Sequence, residues 1–338
     1  MSKETRNWLS RNVLVGFTEK RGNAWHYREG DQNHYPGPIP VEDVHHRLFH
    51  WTAQEKELYV KAEVGEGAML IPGRKAIVRS DTGAVLGIFR AGYQPHQYGE
   101  WLLDNVANII DDDLQIGSAG LLREGAVAWV SVEVPDNIIT PEGVVFRPFL
   151  LAATSFDGTV ATTYKRVVTN VVCDNTMRAA LDREQGQVFR VRHSAKSLSR
   201  LGDARDALGI VHGIAEEFSA QVASLSSVKV DDRTFERVVN LSVPMPQGGP
   251  DGAGKKRAVA LAEKKRDALW RMWREDDRVA PWNGTAMGAW QAFNTYEHHE
   301  RAVRKGAARA ERNMMRTVSG EIETADAEVV HRILALAA

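Results

Sequence analysis

Cysteine is nearly absent from this 338-residue chain: Cys173 stands alone. No disulfide can close within one chain, no multi-cysteine zinc or iron–sulfur site can form, and the usage fits a reducing compartment. Long apolar runs are missing too. Nothing approaches the roughly 18 consecutive apolar residues of a spanning helix, and the opening MSKETRNWLSRNVLVGF lacks the apolar core of a signal peptide. A cytoplasmic protein with no membrane association is expected. There is no glycine-rich phosphate loop ending in Lys-Ser or Lys-Thr, no glycine-flanked serine elbow and no zincin pair with its intervening glutamate. Nucleotide hydrolysis and the serine-hydrolase and zincin chemistries lose the residues they need, and no cofactor is expected. Net charge is also small, at -1.

What is present is an ordinary globular composition, 43% hydrophobic and 26% charged, over a length that suggests about two core-forming units. Residues 1–56 are rich in Trp, His, Gly and Pro, as in RGNAWHYREGDQNHYPGPIP, and read as an irregular arm with one short helix at VEDVHHRLFHW. Residues 57–182 read as a sheet core, with β-branched runs in KAIVRS, AVLGIFRAGYQP, AVAWVSVEV, VVFRPFLLAATS and TVATTYKRVVTNVV. Asp81-Thr82-Gly83 predicts a hairpin turn, because glycine supplies a positive φ. In HQYGEWLLDNVANIID, Trp101, Leu102, Val106, Ile109 and Ile110 share one helical face that should pack on the sheet. Two strands, a helix and then more strands make an α+β fold with a largely antiparallel sheet.

Residues 183–338 read as mostly helical, and the helical pattern starts already at NTMRAALDREQ after Cys173. PMPQGGPDGAGKK is too rich in breakers for a regular element. Long amphipathic helices follow, in KKRAVALAEKKRDALWRMWRED and GAWQAFNTYEHHERAVRKGAARAERNMMRTV, separated by a turn at Pro281-Trp282-Asn283-Gly284.

Charge is segregated along the chain. Lys255 to Arg316 holds 15 Lys or Arg against 8 Asp or Glu, an excess of +7, which leaves -8 for the remainder. A phosphate backbone would favour such a segment, with Trp270, Trp273, Trp282 and Trp290 as stacking surfaces. The plainer alternative puts the cations on solvated helix faces and buries Leu269, Trp270 and Trp273 against the sheet.

Other chemistry-bearing residues favour structural roles. His46 and His50 share a helical face with Glu42 at a spacing that could hold a metal, with His45 and the pair His298 and His299 nearby in type. Adjacent histidines diverge on a helix, however, and no metal is expected. Asp111, Asp112 and Asp113 read as a solvated turn, TSFDGT around Ser155 and Asp157 as a turn, and Cys173 as a buried thiol before a helix cap.

Several segments together resemble the phage and plasmid-related family described by domain of unknown function 932. They are RGNAWH with Gly37-Pro38-Ile39-Pro40, GIFRAGYQPHQYGEWL, AGLLREGAVAWVSVEVP, TSFDGTVATTYKRVVTNVVCDNTMRAAL and GTAMGAWQAFNTYEHHE. VVTNVVCDNTMRAAL is the most specific, since Val171, Cys173, Asn175 and Thr176 stand as in the family's run of Arg-Val-Val-Cys-Asn-Thr-Leu, with Asn170 where arginine is common. The resemblance implies an origin in phages, prophages or plasmids, and a phage-infected or prophage- or plasmid-bearing host. It carries no activity or catalytic residue.

The order of hairpin, helix and meander is similar to the core of the single-strand annealing proteins, which assemble into rings or filaments and need no nucleotide hydrolysis. That likeness points to Arg74, Lys75, Arg79, Arg90, Lys165 and Arg166 as contacts to a nucleic-acid backbone, with Lys255, Lys256, Arg257, Lys264, Lys265 and Arg266 as a second basic surface. The expectation is a homo-oligomer that binds single-stranded nucleic acid. A structural or host-interaction protein with a host protein as its partner, such as a defence inhibitor, is the alternative, and a metal-dependent enzyme a lesser one. Binding outranks catalysis.

Overall fold

The computed structural model describes residues 3–22, 27–61, 67–107, 110, 114–170, 175–177, 188–191, 211–246, 253–304 and 307–337. At its centre is an antiparallel sheet of β1 (Val13–Val15), β5 (Gln115–Leu122), β6 (Val127–Glu133), β8 (Val145–Ser155), β9 (Thr162–Asn170) and β10 (Asn175–Met177), in that order. A short β7 (Ile138–Ile139) pairs with β8, and β11 (Val188–Val191) with β9. A second sheet joins β2 (Ala53–Lys61), β3 (Ala68–Arg79) and β4 (Val85–Arg90). Together with the helices below, this is the expected α+β plan: antiparallel sheets in the first half, mostly helix in the second.

The central sheet is buried on both faces. All seven residues of β6, VAWVSVE, are buried, which is why this strand reads as a near-continuous apolar run rather than an alternation. One face, with Val130, Val132, Phe146, Leu150 and Ala152, packs under the helical half. The other, with Trp129, Phe149, Leu151 and Val167, is covered by two helices from the chain's ends, α1 (Lys3–Asn12) and α9 (Arg309–Ser319). Residues 1–56 are therefore built into the fold rather than forming an irregular arm. They supply α1, the edge strand β1, a turn α2 (Thr18–Arg21) and α3 (Val41–Val44 running on as a π turn to Phe49), and β2 runs across residue 56.

The Asp81-Thr82-Gly83 turn closes β3 onto β4 as expected. Gly83 has φ +73 and its N–H donates to Arg79 O at 3.0 Å, while Arg79 N donates to Ala84 O at 2.9 Å. The helix of HQYGEWLLDNVA is present as α4, a π turn over Gly99–Asp104 continuing through Asn105–Ala107, with Trp101, Leu102, Leu103 and Val106 buried on the sheet. Ile109 lies outside the described residues and Ile110 packs against the core.

The helical half comprises α5 (Val211–Ser227), α6 (Asp232–Ser242), α7 (Ala253–Glu275), α8 (Ala286–Thr295, ending in a π turn over Tyr296–Glu300), α9 and α10 (Glu321–Ala337). Two expectations are corrected. Asn175–Met177 is strand, not helix: β9 would otherwise leave its outer edge unpaired, and β10 and β11 cover opposite ends of that edge. The long helix expected from GAWQAFNTYEHHE onward is broken after Glu300, where Arg301 turns extended at φ -51 and ψ 127. Arg312 of α9 folds back and donates to the carbonyls of Glu297, Arg301 and Ala302, so a side chain satisfies the helix end that the break exposes. The breaker-rich loop also ends earlier than its composition suggests, since Lys255 already lies in α7.

Every residue of α8 is buried, including Trp290, which is fully enclosed. Trp273 stacks on Phe235 at 4.6 Å, and Trp282 is buried with its Nε1 donating to Glu142 O at 3.1 Å. Trp270 is half-buried edge-on to Phe235. The tryptophans expected as stacking surfaces are core instead, because the apolar stripes of α7 and α8 have nowhere else to go. Trp290→Ala is therefore expected to destabilise the fold by about 3–5 kcal/mol in urea unfolding; a loss below about 1 kcal/mol would contradict this placement.

Candidate nucleic-acid interface

The second sheet has an inner and an outer face. Glu55, Ile77 and Gly87 lie in register on the inner face, where Ile77 is wholly buried and Phe89 stacks on Tyr93 at 3.9 Å. Lys56, Ala76 and Ile88 lie in register on the outer face, one pleat from Arg74 directly opposite Arg90. Lys56, Arg74 and Arg90 are exposed, as are Ile88 (52%) and Val85 (62%). None of the three cations makes an ion pair among the described residues. The outer face thus carries three cations interleaved with exposed apolar side chains.

Arg74 opposite Arg90 is the telling feature. Like charges at directly opposed cross-strand positions destabilise a sheet by a few tenths to about 1 kcal/mol. An anion lying across the pair removes the repulsion, and guanidinium forks suit phosphate oxygens.

The other cations expected as backbone contacts are engaged elsewhere. Lys75 points inward and pairs with Glu55 at 2.7 Å. Arg79 lies over the Trp51 ring at 4.1 Å, forks onto Asp81 at 2.9 and 2.7 Å and donates to Glu124 O at 2.7 Å. Lys165 is 3% exposed, bonded to Glu323 at 2.8 Å and to the Thr317 carbonyl, so it is tethered in the interior. Arg166 reaches Glu217 at 3.3 Å.

On α7, Lys256, Arg257 and Lys264 are exposed and Lys255 half-exposed. Lys265 instead pairs with Glu297 at 3.1 Å, and Arg266 holds Val243 O through two bonds of 2.9 and 2.8 Å. Of the twelve cations, the structure leaves Arg74 with Arg90 on one face and Lys256, Arg257 and Lys264 on another. Lys56, which sequence reasoning missed, joins the first group; alternation in QEKELYVK separates it from Glu55 and Glu57 and was the available signal.

Much of the C-terminal positive charge is internally compensated. Glu297 accepts from Lys265 and Arg301, at 3.1 and 2.6 Å, and forms an ion pair with Arg316 at 3.1 Å. Burial alone would raise its pKa, but Lys265 and Arg301 hold it down at about 2. Arg312 is half-buried beside Arg309, Arg316 and Arg301; desolvation first, and then these neighbouring charges, lower its pKa to about 10.

The remaining candidates resolve into structure. Ser155 Oγ is buried and donates to Val160 O at 2.9 Å, and Asp157 accepts from Thr159 N at 2.9 Å, which makes TSFDGT a turn. His46 and His50 are exposed beside Glu42, His50 lies 3.8 Å from Asp81, and among the described residues no group of three or more His, Cys, Asp or Glu could hold a metal. Asp111–Asp113 and Cys173 lie outside the described residues. No helix among the described residues is long and apolar enough to cross a membrane.

One buried carboxyl ties the N-terminal segment to the sheet. Glu133 takes Arg21 at 2.5 Å, Ser131 Oγ at 2.7 Å and Arg147 at 3.9 Å. Burial opposes its charge, but Arg21 and then Arg147 hold its pKa below the ordinary value. Gly117 makes room for it, since a Cβ there would sit 2.3 Å from the Glu133 carboxyl carbon.

The model of the family described as a domain of unknown function, DUF932, matches residues 85–318, which is more than half of the chain. The chain belongs to the DUF932 family. The match spans β4 to α9 and so includes Arg90 but not Lys56 or Arg74. No curated protein and no solved structure matches the chain.

Asp326 behaves oppositely to Glu133. It is buried against Asn294, whose Nδ2 lies 3.0 Å from both carboxyl oxygens, and burial raises its pKa to about 7. The folded state therefore holds this proton more tightly than the unfolded chain, so Asp326 lowers stability progressively from pH 3.8 up to about 7, by roughly 3–4 kcal/mol. Asp326→Asn is expected to flatten that part of the profile, gaining on the wild type at pH 8 relative to pH 4 in urea unfolding. An unchanged difference between the two pH values would refute it.

Proposed function

We propose that this DUF932 protein binds single-stranded nucleic acid on the outer face of the β2–β3–β4 sheet, without nucleotide hydrolysis, as an element of phage or plasmid origin. The carrying observation is the opposed, uncompensated pair Arg74 and Arg90, with Lys56 one pleat along. Phosphates lie across the cations, and the apolar side chains of Ile88 and Val85 offer sequence-tolerant contact to unstacked bases. A three-stranded face with exposed apolar groups suits a flexible single strand better than a hydrated duplex, whose bases are turned inward. Lys256, Arg257 and Lys264 on α7 supply a second, sequence-independent attraction. The nucleic-acid reading outranks a host-protein partner here because unpaired cations mark the face.

Displaced counterions make such binding steeply salt-dependent, with a slope near −0.7 per phosphate neutralised on a single strand. Arg74→Glu with Arg90→Glu is expected to weaken binding of a fluorescent oligo(dT) by at least about tenfold at low salt and to flatten the slope, measured by anisotropy from 50 to 200 mM salt. Wild-type protein that does not bind, or a double variant that binds with an unchanged slope, sinks the proposal.

A further inference from the structure

The edge strand β2 is exposed along nearly its whole length, with only Ala53 buried and Leu58 intermediate. At Ala53 the edge is already occupied: the Gln97 amide donates to Ala53 O and accepts from Ala53 N, both at 2.9 Å, standing in for a neighbouring strand. Backbone groups alternate along a strand. Thr52 O, one residue earlier, accepts from Ser80 N at 2.9 Å on the β3 side. Glu55 and Glu57, in step with Ala53, therefore turn their N–H and C=O groups outward, and no hydrogen bond reaches these groups among the described residues. Among the described residues, six of the ten exposed large apolar side chains also lie on this sheet: Tyr59, Val60, Met69, Leu70, Val85 and Ile88.

Edge strands are ordinarily protected by charge. Here the charges are arranged so that the strand complements itself. In QEKELYVK, an antiparallel two-fold pairing centred on Leu58 sets Glu55 opposite Lys61 of the partner subunit, and Glu57 opposite Tyr59 of the partner subunit. Lys56 then faces Val60 of the partner subunit, and Leu58 meets its own copy on the axis. The β2–β3 ladder is irregular between Glu57 and Tyr59, but the Tyr59 hydroxyl donates to the Glu57 carboxylate, so the two side chains share one side and the alternation of β2 itself runs on to Lys61. The residues whose backbone turns outward then fall opposite one another, which allows about eight inter-strand hydrogen bonds. A shift of one pleat in one direction sets Glu57 against its own copy; in the other it sets Glu55 against a glutamate in sequence, Glu63.

We infer that two copies of this chain pair through β2, antiparallel and in this register, to form one six-stranded sheet. The closed two-fold leaves no further edge of this kind to propagate. Partners across an antiparallel ladder project to the same side, so both outer faces join into one surface bearing two sets of Lys56, Arg74 and Arg90. The dimer does not depend on nucleic-acid binding, and its test uses none.

The test is sedimentation equilibrium of the full-length chain. The wild type is expected to be a dimer at micromolar concentration. Glu55→Lys, always made with Lys75→Glu so that the pair these two form within the hairpin is kept, and Lys61→Glu should each raise the dimer dissociation constant about tenfold or more, because every swap creates two like-charge pairs across the seam. The double exchange should restore wild-type association, which no other register or surface predicts. Glu57→Pro removes an outward N–H without touching the β2–β3 ladder and should give a monomer with an unchanged circular-dichroism spectrum. A wild type that stays monomeric at 100 micromolar overturns the inference. So does a dimer insensitive to the single swaps, or one not restored by the double exchange.

Discussion

The fold depends on one constraint: the β5–β6–β8–β9 meander is apolar on both faces and must be covered on both. The helical half covers one face. For the other, the chain uses its first helix and its penultimate one, α1 and α9, which meet over Trp129, Phe149 and Leu151. Arg309 N donates to Thr5 Oγ1 at 2.8 Å, and Arg123 N to Glu311 at 2.7 Å, fixing the end of the chain to its start and to the sheet. The buried Glu133 with Arg21 fastens the N-terminal segment at the far end of the same face. Segments that look peripheral in sequence are thus part of the core.

The same constraint explains where the charge goes. Once α9 lies on the sheet, the chain must break between α8 and α9, and the carbonyls exposed by that break need donors. Arg312 and Arg309 supply them, while Arg316 and Arg301 converge on Glu297. A local excess of +7 in sequence therefore does not become a surface potential of that size. What survives at the surface is fewer, better-placed cations, and the opposed pair on β3 and β4 is distinguished by geometry rather than number.

The strands of the meander were legible because β-branched runs bounded by turns leave few alternatives, and Gly83 marked its hairpin through its positive φ. The candidate site was legible only in part. Arg74 and Arg90 stood out as cations on strands, but nothing in their spacing of sixteen residues reveals that they face each other; that follows from the β3–β4 register and its bulge. Lys165 looked equivalent, yet β9 lies under α9 and α10, so its ammonium ends against Glu323. The tryptophans of α7 and α8 were ambiguous because a Trp among Lys and Arg has the same local pattern whether its helix face meets solvent or core. Asn175–Met177 opens a stretch whose sequence pattern is helical, and only the open edge of β9 decides for strand.

The family match begins at Val85, so it covers the meander, its helical cover and β4, while β2 and β3 precede it. The proposed interface is therefore composite: Arg90 comes from the matched region, whereas Arg74 and Lys56 come from the hairpin before it. A sheet assembled this way separates two requirements. Ile77 on the inner face fixes the hairpin against the body that the family match covers, which leaves the outer face and most of the β2 edge free of packing duties. Opposed arginines without an ion pair among the described residues, and an exposed edge strand, both cost stability in the isolated chain, and the proposed partners are those whose chemistry would relieve that cost.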